Sequence, residues 1–458
     1  MSGEEPIGIV DAPQIQNALL REHVRHLEAE RDADKARISA LETRIAELEA
    51  RKTPPPPWAK ANRQRVETDA TRTKRGPEHD HGRHKMTPTR IVQHAYERCP
   101  DCQYALGGSA IARRREVIDL PIVPVEVTEH QIIKRRCPVC RAWKTPSVRL
   151  EGEVLGQERI GLRLMSLIGV LRVVHRLPLT LIRDLLDQLY GLRLSEGGIQ
   201  QILERLCRGL EPTHAALVAQ GRASPSRHMD ETGWREDGQN GYLWVDATAG
   251  PLPMWVYTYR KSRAGAVADE LVGDYDGVLV TDGYAAYDHL ACSKQRCWTH
   301  ILRNARDIRE KNPDDALFAD WVSGLKALYA EAKGVAENPA LTLSQRAAAA
   351  NDAEKRIRQL CLCYYHAPTH PAHALARWLH RHRDELFTFV RVPGVAGTNN
   401  LAERTVRPQV IARKISGGTR SERGSTIRCT LATVFYTFIA RGLNPLTACI
   451  AALQTPLP

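Results

Sequence analysis

Cysteine is sparse here, with 11 in 458 residues, too few for a disulfide-stapled scaffold. Long apolar runs are missing as well. The longest, 164-LMSLIGVLRVV-174 and 431-LATVFYTFIA-440, are too short to cross a bilayer, so no membrane partner is expected. The first twenty residues are acidic and lack an apolar segment, which argues against a secretory leader and for a cytoplasmic protein. No GxxxxGK[ST] tract occurs, so nucleotide hydrolysis is not indicated.

What the chain does have is positive charge, unevenly spread. The formal net charge is +12, which favours an anionic partner such as nucleic acid. Residues 1–50 carry 6 Lys/Arg against 11 Asp/Glu, whereas residues 51–150 carry 21 against 10 and residues 391–430 carry 8 against 2. The excess is local, as DNA-contacting segments require.

Leu20, Leu27, Leu41 and Leu48 fall on steps of seven, with Val24, Ile38 and Ile45 in the alternate seam position. Asp34 and Arg31 interrupt the pattern. A solvated coiled coil over 15–52 fits, and it would bring two copies together. A basic linker (53–90) opens on the break 53-TPPPP-57. Then Cys99 and Cys102, and after a long gap Cys137 and Cys140, form two Cys-x-x-Cys knuckles in a module over 91–150. Four thiolates can hold one structural Zn²⁺. Strand-like runs lie between the knuckles (116–123 and 125–133), and Arg113, Arg114, Arg115, Arg135 and Arg136 flank them as candidate phosphate contacts. Residues 155–220 read as helical. Gly191 stops one amphipathic helix and Ser195 caps the next, which is a helix-turn-helix geometry and also an ordinary way to pack helices. The sequence leaves both readings open.

Two β-prone runs then end on carboxylates, 226-SRHMDETGW-234 on Asp230 and 277-GVLVTDGYAAY-287 on Asp282. Two further strand-like runs and a helix-like segment separate them. If the acid-bearing strands are parallel neighbours, the two carboxylates face each other and repel unless a hard cation such as Mg²⁺ lies between them. A third acid from a helix would complete a two-metal site for in-line phosphoryl chemistry. The pattern predicts a helix that carries Glu403, with Thr398 or Asn399 as its N-cap. Helix-like segments rich in Ala and Arg fill 313–395, an expected insertion between the second Asp and the Glu. Asp246 also ends a strand-like run and is the chief decoy. The tract 413-RKISGGTRSERG-424 is basic and Gly-rich, suited to close approach by a phosphodiester.

The tracts 230-DETGW-234, 281-TDGYAAY-287, 297-CWTHILRNARD-307 and 398-TNNLAERTVRP-408 resemble those of the insertion-sequence-66 family of bacterial DDE transposases, over roughly residues 20–450. The resemblance implies a multidomain α/β protein with an RNase H-like core over 224–312 and 396–445, and leaves a C-terminal tail over 446–458. It implies that Asp230 (rather than its neighbour Glu231), Asp282 and Glu403 are catalytic and hold Mg²⁺ or Mn²⁺. Arg404, Arg407, Arg413 and Lys414 become candidate DNA contacts, and Trp298 and His300 candidates for supporting the acids. The implied partners are double-stranded DNA (element ends and target), a second copy, and accessory transposition proteins. The implied activity is strand cleavage and strand transfer, in a cytoplasmic protein that joins the nucleoid when bound to DNA. The alternatives are an inactive DNA-binding relative, or an RNase H-like nuclease that does not join strands.

Overall fold

A computed structural model describes residues 12–50, 87–121 and 123–454, with side chains in the N-terminal helix at 21 and 24–44. The chain divides into two compact units, Met1–Ile118 and Asp119–Pro458. In the first, α1 (Ala12–Ala50) is a single helix of 39 residues. Val24, Leu27, Ile38 and Leu41 on it are 50–56% exposed. Most of the linker over 53–90 lies outside the described residues. Beyond it, Cys99 and Cys102 share a tight turn. The Cys99 N–H donates to Tyr104 O at 2.8 Å and the Gln103 N–H to Cys99 O at 2.9 Å, while Gln103 takes a left-handed φ of 61°.

The second unit holds the other knuckle, where β1 (Arg135–Arg136) and β2 (Trp143–Lys144) pair antiparallel around Cys137 and Cys140. The strands expected over 116–123 and 125–133 do not form among the described residues. Among the described residues of 106–133 there is no ladder, and Val117, Leu120 and Val127 are exposed. The alternation is β-like, but a strand also needs a neighbour for its N–H and C=O groups.

Four helices follow: α2 (Leu162–Val173), α3 (Leu179–Tyr190), α4 (Glu196–Gly209) and α5 (Glu211–Arg222). Gly191 ends α3 with a φ of 63°, a conformation that glycine adopts without strain. The Ser195 hydroxyl caps α4 by accepting from the Gly198 N–H at 3.0 Å. Next come β3 (Ser226–Glu236), β4 (Gln239–Thr248), β5 (Met254–Arg260), α6 (Gly265–Val272), β6 (Val278–Thr281) and β7 (Ser293–Arg296). They form one mixed sheet in the order β5-β4-β3-β6-β7. The first three strands make an antiparallel meander, and β3, β6 and β7 run parallel. Asp237 and Gly238, with φ of 50° and 76°, supply the two positive-φ positions of the β3–β4 turn.

Helices α7 (Trp298–Lys311), α8 (Ala316–Glu337), α9 (Leu343–Tyr365), α10 (His373–Arg381) and α11 (Thr388–Arg391) form a lobe with its own core around Phe318, Trp321, Ile357 and Leu379. Helices α12 (Asn400–Ser416) and α13 (Glu422–Ala440) then return the chain to the sheet. There α13 joins α2–α5 and one sheet face in the largest core. The expected tail over 446–458 is instead largely helix α14 (Pro445–Gln454), with Cys449, Ala452 and Leu453 buried. Its spaced apolar residues find a place in that core. No single helix among the described residues is long and apolar enough to cross a membrane.

Strand β5 is a sheet edge, and α13 caps it. Thr433 and Thr437 accept hydrogen bonds from the N–H groups of Tyr257 and Trp255, both at 3.0 Å. The hydroxyls occupy positions where another strand would otherwise pair. Thr433→Val keeps the shape but leaves the buried Tyr257 N–H without an acceptor. It is expected to lower stability by about 1–3 kcal/mol, measurable by urea unfolding. An unchanged midpoint would mean that the cap contributes nothing.

Candidate active site

Strands β3 and β6 pair with Ser226 opposite Val278, Arg227 opposite Leu279 and His228 opposite Val280. Carrying that register two residues further sets Asp282 beside Asp230. The 52-residue spacing of the two acids is therefore the strand register itself. Each carboxylate is also fixed locally. Asp230 Oδ1 accepts from the Glu231 N–H at 2.9 Å, and Asp282 Oδ1 from the Tyr284 N–H at 2.8 Å.

Alternation along β3 separates Asp230 from Glu231. His228 and Trp234 lie on the face covered by α12, where His228 Nδ1 is 3.2 Å from Asn399 Oδ1, and Asp230 shares that face. Glu231 points to the other side and accepts from the Tyr287 hydroxyl at 3.0 Å. Asp246 is also on that other side, bound to the buried Arg227 at 2.5 Å.

Glu403 is carried in by α12. Asn399, expected as a helix cap, makes no side-chain cap bond. Its fully buried side chain serves a longer-range purpose. Asn399 Nδ2 donates to Met229 O at 2.7 Å, one residue before Asp230, and its backbone N–H donates to Cys297 Sγ at 3.1 Å. One residue thus ties the Glu403 helix to the Asp230 strand and to the start of α7. There His300 Nε2 lies 3.5 Å from Glu403 Oε1. The Cys297 thiol beside it holds the imidazole above its ordinary range, against the opposing effect of burial. Glu403 does not pair with Arg407, the ordinary i,i+4 alternative.

The electrostatics are those of crowded acids. Burial first, and Asp282 second, push Asp230 up to about 7, and the same two causes push Glu231 up to about 7. Among the described residues no lysine or arginine pairs with Asp230, Asp282 or Glu403, and Glu403 Oε1 is buried without a hydrogen-bond donor. As they stand, no three His, Cys, Asp or Glu side chains among the described residues are drawn tightly enough to grip one ion. The donor set is nonetheless all oxygen, anionic and short of positive charge. Those are the properties that a hard divalent ion satisfies.

The remaining predicted residues divide into two groups. Arg404, Arg407 and Lys414 stand exposed on α12, and Arg113, Arg114, Arg115, Arg135 and Arg136 are exposed on the two knuckle segments. Arg413 is half-buried, and its guanidinium donates to Gly233 O on β3, so it also has a structural duty. Trp298 is wholly buried. Its indole donates to Leu386 O at 2.7 Å and stacks on Tyr329, which makes it part of the lobe core rather than the rim of the acids. Gly417 ends α12 with a left-handed φ of 73°, and Gly418 serves packing. A Cβ on Gly418 would meet Arg235 O at 2.1 Å, because this loop bonds along the end of β3. Sequence reasoning missed Arg296, which is fully buried. It donates to Glu385 at 2.5 Å, to Asp288 at 2.7 Å and to the Asp282 carbonyl at 3.4 Å. Each knuckle pairs its own two thiols, and turn N–H groups hold Cys99 and Cys137 below the ordinary thiol range.

A sheet that sets two aspartates side by side on neighbouring inner strands, with a helix delivering a glutamate near them, defines a clustered-carboxylate protein. Residues 158–427 match the profile of the Transposase IS66 family, which is more than half the chain. The chain belongs to that family. It is also similar to two uncharacterized proteins of Sinorhizobium fredii (strain NBRC 101917 / NGR234). It is 28% identical to y4qI over 42% of this chain and 38% of the relative, and 24% identical to y4jD over 56% of this chain and 55% of the relative. The chain therefore spans little more than half of either relative at most.

Proposed function

We propose that the chain is a DNA transposase that cuts at element ends and joins the freed 3′ hydroxyls to target DNA. Its catalytic core is then the five-stranded sheet with α12, an RNase H-like arrangement. The observation that carries this reading is the convergence of Asp230, Asp282 and Glu403, from three separate elements, with no lysine or arginine among the described residues paired to them. These three would hold Mg²⁺ or Mn²⁺, which when bound polarises the phosphodiester and activates the attacking oxygen. The chain's own groups do the rest. The strand register fixes the spacing of Asp230 and Asp282, Asn399 holds Glu403 to them, and His300 sets its Nε2 3.5 Å from Glu403 Oε1.

Other parts of the proposal rest on separate features. Each knuckle offers two thiols to a soft ion such as Zn²⁺. The half-exposed seam of α1 suits a second copy. The exposed arginines of the knuckle segments and of α12 would contact phosphates, and accessory proteins would complete the reaction.

The test uses labelled DNA bearing the element ends, a target plasmid and Mg²⁺. The expected product is label joined covalently to the target. Nicking without joining would reduce the protein to a nuclease, and binding without nicking to a DNA-binding relative. The same preparation should contain zinc and sediment above its monomer mass. A zinc-free, monomeric protein would remove those two parts of the reading.

A further inference from the structure

Helix α12 bears more than Glu403. At 3.6 residues per turn, its buried residues Ala402, Thr405, Gln409 and Ala412 occupy one side. Arg404, Arg407, Ile411, Lys414 and Ile415 fall in a stripe about 100° wide on the opposite side. Glu403 sits at the border between the two. Ile411 is 38% exposed and Ile415 51% exposed, and Arg404, Arg407 and Lys414 are exposed. The contrast with Arg413 is direct, since that guanidinium turns back onto β3. The stripe therefore runs from two cations, Arg404 and Arg407, into Ile411, Lys414 and Ile415, mixing charge with β-branched apolar groups over about 16 Å, or about five base pairs of duplex at 3.4 Å each.

A mixture of cation and hydrocarbon in one stripe does not suit an acidic protein surface, which would leave the isoleucines uncovered. It does suit DNA, whose phosphates alternate with deoxyribose faces and base edges at similar spacing. We propose that this stripe is the track for the duplex next to the cleavage point. Arg404, Arg407 and Lys414 contact phosphates, and Ile411 and Ile415 pack on sugars and base edges in the groove. The proposal rests on DNA being the substrate. It adds that part of the affinity close to Glu403 is apolar, and so independent of salt.

The test is binding of element-end DNA by the full chain without metal, over a series of salt concentrations. Ile411→Ala with Ile415→Ala should weaken binding roughly tenfold at every salt, because the lost contact is burial of apolar surface. The slope of log affinity against log salt should stay unchanged. Arg407→Ala should instead lower that slope by about 0.9, the counterion contribution of one phosphate contact. Both isoleucines are exposed, so the melting temperature of the double variant should match the parent. An unchanged affinity overturns the proposal, as does a shift in oligomeric state without a loss of DNA affinity, which would make the stripe a protein interface. If the parent itself fails to bind DNA, the broader reading falls first, and that outcome is distinct from failure of the stripe alone.

Discussion

Asp230→Asn is expected to give a protein that melts higher than the parent at pH 8 without metal and no longer nicks DNA. The stability change follows from burial. In the metal-free site, burial and the nearby Asp282 raise the Asp230 carboxyl to about 7, against about 3.9 for an unstrained aspartate. The folded chain therefore binds this proton more tightly than the unfolded chain does. Its contribution to stability is fully present below pH 4 and is lost as the pH rises through 7. Asparagine never ionises, so the gain in melting temperature should be seen at pH 8 and vanish near pH 4. Mg²⁺ should raise the melting temperature of the parent at pH 8 and do much less for the variant. The activity change is larger. A negative oxygen that helps hold an ion at the reacting phosphate is worth about three orders of magnitude in rate, or roughly 4 kcal/mol. Asp282→Asn and Glu403→Gln should lose nicking to the same degree, and all three variants should bind DNA at least as well as the parent. A folded Asp230→Asn protein that still nicks, or that melts below the parent at pH 8, would remove Asp230 from the site.

The acids were legible in the sequence because each lies in a short tract whose local pattern is also its structural role. Asp282 directly follows β6, as its run suggests, whereas β3 carries on through Asp230 to Glu236, and the interval between the two Asp residues is the register of β3 on β6. Gly191 and Ser195 could be read for the same reason, since stops and caps act within a few residues. Asn399 shows where such reading stops. Its best local role is a cap, yet its amide bonds Met229, which is 170 residues away in the chain. A partner at that distance leaves no trace in local periodicity. Arg296 is hidden in the same way, because its partners lie on three different segments. The Gly-rich tract 413–424 suggests close approach by a phosphodiester, and only the docking of that loop on β3 reveals that Gly418 is needed for packing. Residues 116–133 fail in the opposite direction. Their alternation is real, but pairing depends on a neighbour that the sequence cannot supply.

Asp246 is the decoy acid that the sequence reading leaves out of the site, and its replacement by alanine should destabilise the fold without touching the chemistry. Asp246 lies opposite Met229 on the face turned away from α12, two ladder steps from the end of β4. Its Oδ2 receives both Nε and Nη2 of Arg227, at 3.0 and 2.5 Å, and that arginine is only 2% exposed. The guanidinium also donates to Leu271 O at 3.1 Å and lies over Tyr275 at 4.9 Å. Removing the carboxylate leaves a buried cation with only carbonyls and a ring for company. The expected loss is about 3–5 kcal/mol, or a fall on the order of 10 °C in melting temperature for a unit of this size. Arg227→Met with Asp246→Leu should recover most of it, because neither charge then needs solvation inside the fold. Nicking per folded molecule should stay near the parent level in both proteins when assayed well below the transition. If Asp246→Ala melts like the parent yet loses nicking, Asp246 belongs to the reaction, and the face assignment of β3 and β4 is wrong.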